Sequence, residues 1–238
     1  MRALRSLVAF VVPALTGILL LVLLLPLGRR RSANLTIPVV AFLGTRLAGI
    51  RFRVHGDTSL LKQRPAVFVI NHQSGTDPII VAALLRQDIC AVAKRRLRRH
   101  LLLGPLLGLA GTVFVDSSRK PGSRALAPAL PRLKQGYAVV IAPEGHRSDD
   151  RTLQAFRPGA LWLASEARVP LIPVVLHNSR DILPARALLM RPGEVRVTVL
   201  APLDPASLSL EKLEERFRET LAHDPAARER SSAGVGDG

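Results

Sequence analysis

Hydrophobic positions follow three regimes along this chain. Between residues 7 and 27 they are nearly unbroken: LVAFVVPALTGILLLVLLLPL carries no charge, and Thr16 is its one polar side chain. Twenty-one helical residues span about 32 Å, roughly the hydrocarbon thickness of a bilayer. Residues 33–49 are also apolar, with Arg46 the one charge, and predict a second helix lying at the interface. Beyond residue 50 the apolar positions contract into short runs rich in β-branched residues: 51–54, 66–70, 89–93, 112–115, 138–142, 171–176 and 195–200. Runs of this kind predict strands covered on both faces. Helical patterns fall between them at 78–87, 96–109, 122–135 and 158–168. Leu210, Leu213, Phe217 and Leu221 then recur at helical spacing among charges and predict an amphipathic helix packed on the body.

Strands alternating with helices predict an α/β layered domain: a mixed, largely parallel sheet of about seven strands flanked by helices, preceded by an N-terminal membrane helix. The expected organisation is a membrane anchor over 1–32, the interfacial helix over 33–49, one domain over 50–222, and a small, polar, disordered tail over 223–238. No internal repeat or linker divides the body.

Charge changes the picture of the partners. The formal net charge is +16, and residues 1–32 hold five arginines and no acids, so the remainder keeps 29 basic against 18 acidic residues, a net +11. A basic, membrane-tethered body suits anionic lipid or phosphorylated substrates. Nucleic acid would suit the charge too, but one Trp and one Tyr leave few stacking platforms. The 7–27 run exceeds the 7–15 residues usual for a signal-peptide core, and GRRRS follows it instead of a small-residue cleavage site, which favours a retained anchor over a cleaved leader. Arg29, Arg30 and Arg31 orient the following domain to the cytoplasmic side of the cell membrane, nearly balanced by Arg2 and Arg5. Pro13 and Gly17 allow a helix that enters the bilayer and does not cross. The lone cysteine, Cys90, sits inside an apolar run and reads as a buried structural thiol.

The strand at 66–70 runs directly into Asn71-His72, and Asp77 follows five residues later, just before Pro78. Pro78 fits the first helical position and Asp77 the N-cap, so 71–77 is a strand-to-helix loop. Such a loop either leaves Asp77 as a helix cap and His72 as a solvent-facing polar residue, or curls His72 back onto Asp77. Three more loops concentrate polar chemistry. Residues 93–99 (AKRRLRR) hold five cations, residues 111–120 end a strand at Asp116, and residues 141–148 (IAPEGHRS) follow a strand with Pro143, Glu144, Gly145 and Arg147. A run of cations is usually a solvated face, and Glu144 with Arg147 at a turn could be a local ion pair. Arg147 also offers a planar fork of donors suited to phosphate.

Taken in order, these residues resemble the glycerolipid acyltransferases, in particular the 1-acylglycerol-3-phosphate acyltransferases. An Asn-His-x-x-x-x-Asp motif matches Asn71, His72 and Asp77, with Gln73 and Ser74 inside it. A Gly-x-x-Phe-Val-Asp strand matches Gly111, Phe114, Val115 and Asp116. A Pro-Glu-Gly-x-Arg-Ser motif matches Pro143, Glu144, Gly145, Arg147 and Ser148. A Val-Pro-Leu-x-Pro-Val motif matches Val169, Pro170, Leu171, Pro173 and Val174, and FRPGA at 156–160 sits where the family carries a similar stretch. Departures cluster on one side of the pattern: Ser117 stands where an Arg is usual, Ala142 replaces a Phe and His146 a Thr.

The resemblance implies acyl transfer from a thioester, acyl-CoA or acyl-carrier protein, to the free hydroxyl of lysophosphatidic acid, giving phosphatidic acid, or else to another lysolipid, without a resident cofactor or metal. A neutral histidine suits removal of the hydroxyl proton near pH 7. His72 is then the general base, and Asp77 fixes its tautomer and stabilises the imidazolium. Lys94, Arg119, Glu144, Gly145, Arg147 and Pro170 are the residues implied to bind substrate. The nucleophile is the acceptor's own hydroxyl, so no acyl-enzyme is needed, and no Gly-x-Ser-x-Gly elbow is present. Membrane lipid is the expected partner and nucleic acid is not.

Overall fold

The computed structural model describes residues 2–116, 123–146, 152–184 and 187–223. Helices α1 (Arg2–Leu23) and α2 (Arg29–Ala48) form an antiparallel pair that leads into β1 (Ile50–Gly56) and β2 (Ala66–Ile70). There follow α3 (Asp77–Leu85), β3 (Ile89–Lys94), α4 (Leu103–Leu109), β4 (Val113–Val115), α5 (Leu130–Lys134), β5 (Ala138–Ile141), α6 (Gly159–Ala167), β6 (Leu171–Leu176), α7 (Ser179–Ile182), β7 (Gly193–Val199) and α8 (Leu210–Ala222). The seven strands make one sheet in the order β1-β7-β6-β2-β5-β3-β4. Only the β6–β7 pair is antiparallel. This is the mixed, largely parallel sheet that the alternating pattern predicts.

Strand β2 shows why its run is unbroken. All five of its residues are buried, and successive side chains point to opposite faces. Ala66, Phe68 and Ile70 join the core beneath α3 and the α1–α2 pair. Val67 and Val69 join a second core with Leu133 of α5, Leu163 of α6, and Leu213 and Phe217 of α8. Full burial of a side chain such as Phe68 contributes roughly 1.5–3 kcal/mol. The ring of Phe217 meets that of Phe156 edge-on, with centroids 5.1 Å apart, which fastens α8 to the loop before α6. Cys90 is buried as expected, and burial pushes its thiol above the usual range.

Two predicted helices are broken. Residues 96–109 divide into a 3-10 turn at Arg95–Arg99 and the short α4, with the break at 100–102; Gly104, near the start of α4, packs so closely on the Arg98 carbonyl that a Cβ would not fit. Residues 122–135 divide into a 3-10 stretch, Ser123–Ala129, and α5; Pro128 and Pro131 remove the donors that a continuous helix needs. From residue 224 onward, the predicted tail lies outside the described residues.

The α1–α2 pair is integrated with the body. Helix α2 already begins at Arg29, four residues before the expected interfacial helix. Ser6 accepts the Met190 N–H at 2.8 Å and Arg5 donates to the Met190 carbonyl at 3.1 Å. Farther along α1, Gly17 admits Leu106 of α4 and Val40 of α2, whose methyls would lie 2.6 and 2.8 Å from an added Cβ. Gly44 of α2 admits Ile79 of α3 in the same way, at 2.9 Å. Arg30 donates to Asp88 at 2.7 Å and to the Gln135 carbonyl at 2.9 Å, and lies 4.8 Å from the Tyr137 ring centre. Asp88 also accepts from Asn34 at 2.8 Å. Arg30 therefore fixes α2 to the loops before β3 and β5, a role that a topology signal does not require. The opposite face of the pair is apolar and exposed: Leu7, Leu15 and Leu19 on α1, and Leu35, Val39 and Phe42 on α2. Helix α1 is long and apolar enough to cross a membrane. Its contacts with the body at Arg5, Ser6 and Gly17 hold it along the domain.

Candidate active site

The C-terminal ends of the parallel strands β2, β5, β3 and β4 share one edge of the sheet, the usual place for a ligand in a parallel α/β fold. Strand β2 ends there at Asn71. Its side-chain amide donates to the Leu176 carbonyl and its side-chain oxygen accepts the Leu176 N–H, both at 2.8 Å. The pair extends the β2–β6 ladder by one side chain and fixes where the next residue starts. From there the chain curls. Asp77 Oδ2 accepts the Gln73 and Ser74 N–H groups, each at 2.8 Å, and meets His72 Nδ1 at 2.7 Å. Ser74 Oγ in turn accepts the Thr76 N–H at 3.1 Å and donates to the Leu183 carbonyl at 2.8 Å.

Asp77 is therefore not the N-cap. It is the first residue of α3, Thr76 precedes the helix, and the carboxylate reaches back into the loop. Its side chain is fully buried, while that of His72 is 24% exposed. Engagement of Nδ1 by a carboxylate places the proton on that nitrogen and leaves Nε2 with a lone pair.

Glu144 closes the arrangement from β5. Its carboxylate is 2% exposed. One oxygen accepts the His72 N–H at 2.7 Å and the other the Gln154 N–H at 3.0 Å. Burial pushes this carboxyl above the usual glutamate range, although the two N–H donors and the His72 imidazole pull the other way. The next residue, Gly145, has φ +73°, in the left-handed region where glycine is favoured. The Arg157 guanidinium lies against it: an added Cβ would meet Arg157 Cζ at 3.2 Å.

The family model described as Acyltransferase matches residues 51–177, over half of the chain. The chain belongs to the acyltransferase family. It is 30% identical over 197 residues to human 1-acyl-sn-glycerol-3-phosphate acyltransferase alpha, covering 81% of this chain and 69% of that protein. It is 29% identical over 202 residues to the human beta enzyme, covering 80% and 72%, and 29% identical over 173 residues to the Saccharomyces cerevisiae enzyme, covering 71% and 57%. The chain thus spans more than two thirds of the human relatives and less of the yeast one. The crystal structure of the 1-acyl-sn-glycerophosphate (LPA) acyltransferase PlsC from Thermotoga maritima shares the fold, with a TM-score of 0.67 over 93% of this chain and 95% of that one, at 24% identity.

Within this acyltransferase fold the expected site residues separate. His72, Asp77 and Glu144 form one hydrogen-bonded unit, and Gly145 adjoins it. Lys94 ends β3 at the same edge; burial lowers its ammonium, and the neighbouring Arg96 and Arg157 cations lower it further. Pro170 is elsewhere. Val67 pairs with Leu171, so Pro170 is level with the start of β2, six residues and about 20 Å along the strand direction from His72. It supports the sheet: its carbonyl accepts the Val67 N–H at 3.0 Å. Glu144 gives both its oxygens to backbone N–H groups, those of His72 and Gln154. Arg119 and Arg147, with Ser117 and Ser148, lie outside the described residues. Arg157 had no assigned role from sequence, although FRPGA contains it. Asn71 was visible as a motif residue, but its partner, Leu176, is 105 positions away.

Proposed function

We propose that the protein transfers a fatty acyl group from a thioester donor, acyl-CoA or acyl-carrier protein, to the free hydroxyl of 1-acylglycerol-3-phosphate, giving phosphatidic acid. The observation that carries this reading is the 2.7 Å contact between His72 Nδ1 and buried Asp77. It supports Nε2 as the base at the sheet edge. Nε2 takes the acceptor's hydroxyl proton as the oxygen attacks the thioester carbonyl. The new C–O ester bond forms, the C–S bond breaks, and the imidazolium returns the proton to the departing thiolate. Asp77 stabilises the imidazolium while it lasts. General-base assistance of this kind is worth about 10²- to 10⁴-fold in rate.

The names of the relatives support the acceptor, and Lys94 with its arginine neighbours suits a phosphorylated substrate. The exposed apolar face of α1 and α2 supports attachment to the cell membrane, where the acceptor resides; Arg29 and Arg31 favour the cytoplasmic side. The test is purified full-length chain with labelled acyl-CoA or acyl-carrier protein and a panel of lysolipids, the products being separated. Labelled phosphatidic acid from lysophosphatidic acid is the expected result. Transfer to none of the lysophospholipids would refute the proposal.

A further inference from the structure

Arg157 stands in the loop that leads into α6, and three contacts fix its position. Its N–H donates to the Pro143 carbonyl at 3.1 Å. The Phe156 N–H donates to Glu214 of α8 at 2.7 Å, and the Phe156 ring packs on Phe217. The backbone of Arg157 is thereby tied both to α8 and to the Pro143-Glu144-Gly145 turn that holds His72. Its side chain is exposed and lies over Gly145, where the absence of a Cβ gives the guanidinium room. Electrostatically it is felt at Lys94, as is Arg96. Among the described residues no carboxylate pairs with Arg157, Lys94 or Arg96. Cations gathered at the edge where the base stands are suited to a ligand that brings negative charge.

The strand registers place these groups. Val69 is level with Ile141 and Ala91 with Val140. Continued to the strand ends, Glu144 is level with His72, and Lys94 with Asn71. Lys94 is two strand spacings from Asn71, about 10 Å. Long flexible cations on β3 and in the Arg157 loop therefore border the edge at which the base works.

We infer that Arg157 is a specificity-determining ligand for a phosphomonoester on the acyl acceptor, acting together with Lys94 across the Gly145 turn. This rests on the proposed acyl transfer. A phosphomonoester is a dianion near neutral pH and presents several oxygens, so it can take a forked guanidinium and an ammonium at once. A phosphodiester headgroup offers a single charge, and a phosphate-free acceptor none. The donor's nucleotide phosphates share this chemistry and are the competing source.

The test compares wild type, Arg157→Ala and Arg157→Lys as full chains in mixed micelles. Each is given lysophosphatidate, lysophosphatidylglycerol or monoacylglycerol as acceptor, with acyl-CoA or acyl-pantetheine as donor. Arg157→Ala is expected to raise KM for lysophosphatidate roughly 10- to 150-fold, the loss of one charge-assisted contact, with kcat within a few-fold of wild type. Monoacylglycerol kinetics should be unchanged, and lysophosphatidylglycerol should be affected less than lysophosphatidate. Arg157→Lys should recover part of the loss. An unchanged KM for lysophosphatidate overturns the inference while leaving the proposed function intact. So does a raised KM for acyl-CoA that is absent with acyl-pantetheine, which would assign Arg157 to the donor. A wild-type chain that acylates none of the acceptors overturns the proposed function, and the inference with it.

Discussion

Replacing Glu144 with Gln distinguishes a clamp from a substrate ligand. The carboxylate receives two backbone N–H donors, from His72 at 2.7 Å and Gln154 at 3.0 Å, one on each oxygen. A glutamine has one oxygen. Whichever way it turns, its NH₂ faces a buried N–H, and that donor goes unpaired. Loss of a hydrogen bond to a charged group costs about 1.5–3 kcal/mol, and an unsatisfied buried donor about 1–3 kcal/mol. Removing the buried charge offsets part of this, since burial already opposes ionisation at Glu144. A net destabilisation of about 2 kcal/mol corresponds to roughly 4–8 °C in Tm for a chain of this size. Repulsion at the His72 N–H shifts the start of the catalytic loop, and small displacements of a base are costly in rate. The expected result is kcat lowered at least about 10-fold with little change in acceptor KM, measured beside a thermal melt. A raised acceptor KM with normal kcat and normal Tm would refute the clamp and make Glu144 a substrate ligand after all.

The same carboxyl sets a pH trend: its folded pKa is raised, so its contribution to stability is complete below the ordinary glutamate range and is lost as pH rises through the raised value. Glu144→Gln should remove that slope from denaturation midpoints measured across pH 4–7. His72→Ala should lower turnover about 10²- to 10⁴-fold with an unchanged melt. Asp77→Asn should cost a comparable amount, because an amide oxygen can still receive the loop N–H groups but no longer carries the charge that stabilises the imidazolium; near-normal turnover in either variant would sink the general-base mechanism. Arg30→Ala removes an ion pair, a backbone contact and a ring contact, and should destabilise the fold by about 1–2 kcal/mol, read from a denaturant midpoint. Changing Leu7, Leu15 and Leu19 together to Gln should shift the chain from the membrane pellet toward the supernatant, at about 1 kcal/mol lost per half-exposed leucine; unaltered sedimentation would mean that another surface holds it.

Strands were legible because burial on both faces writes itself as unbroken β-branched runs, and each predicted run lies within or beside an observed strand. Their order was not, because adjacency in a parallel sheet is decided by packing across distant segments. That is why the contact of Glu144 with the His72 N–H was not legible: it depends on β5 lying beside β2. The place of Pro170, level with the start of β2 and far from His72, was hidden for the related reason that a motif position does not say which end of the sheet it occupies. The contact between His72 and Asp77 was one of two open readings of a five-residue spacing. It is settled by the backward reach of a carboxylate that begins a helix. Arg30 read as one of three equivalent charges, since nothing local marks the arginine that will meet Asp88.

The grip of the body on α1, at Arg5, Ser6 and Gly17, has a mechanical consequence. A domain on a leash explores its surroundings: ten flexible residues give an r.m.s. reach of about 17 Å. A domain bolted to its own apolar face has no such swing. On the proposed function, once that face settles in a leaflet, the histidine stands at one height and one tilt, and the search for an acceptor becomes lateral diffusion in two dimensions.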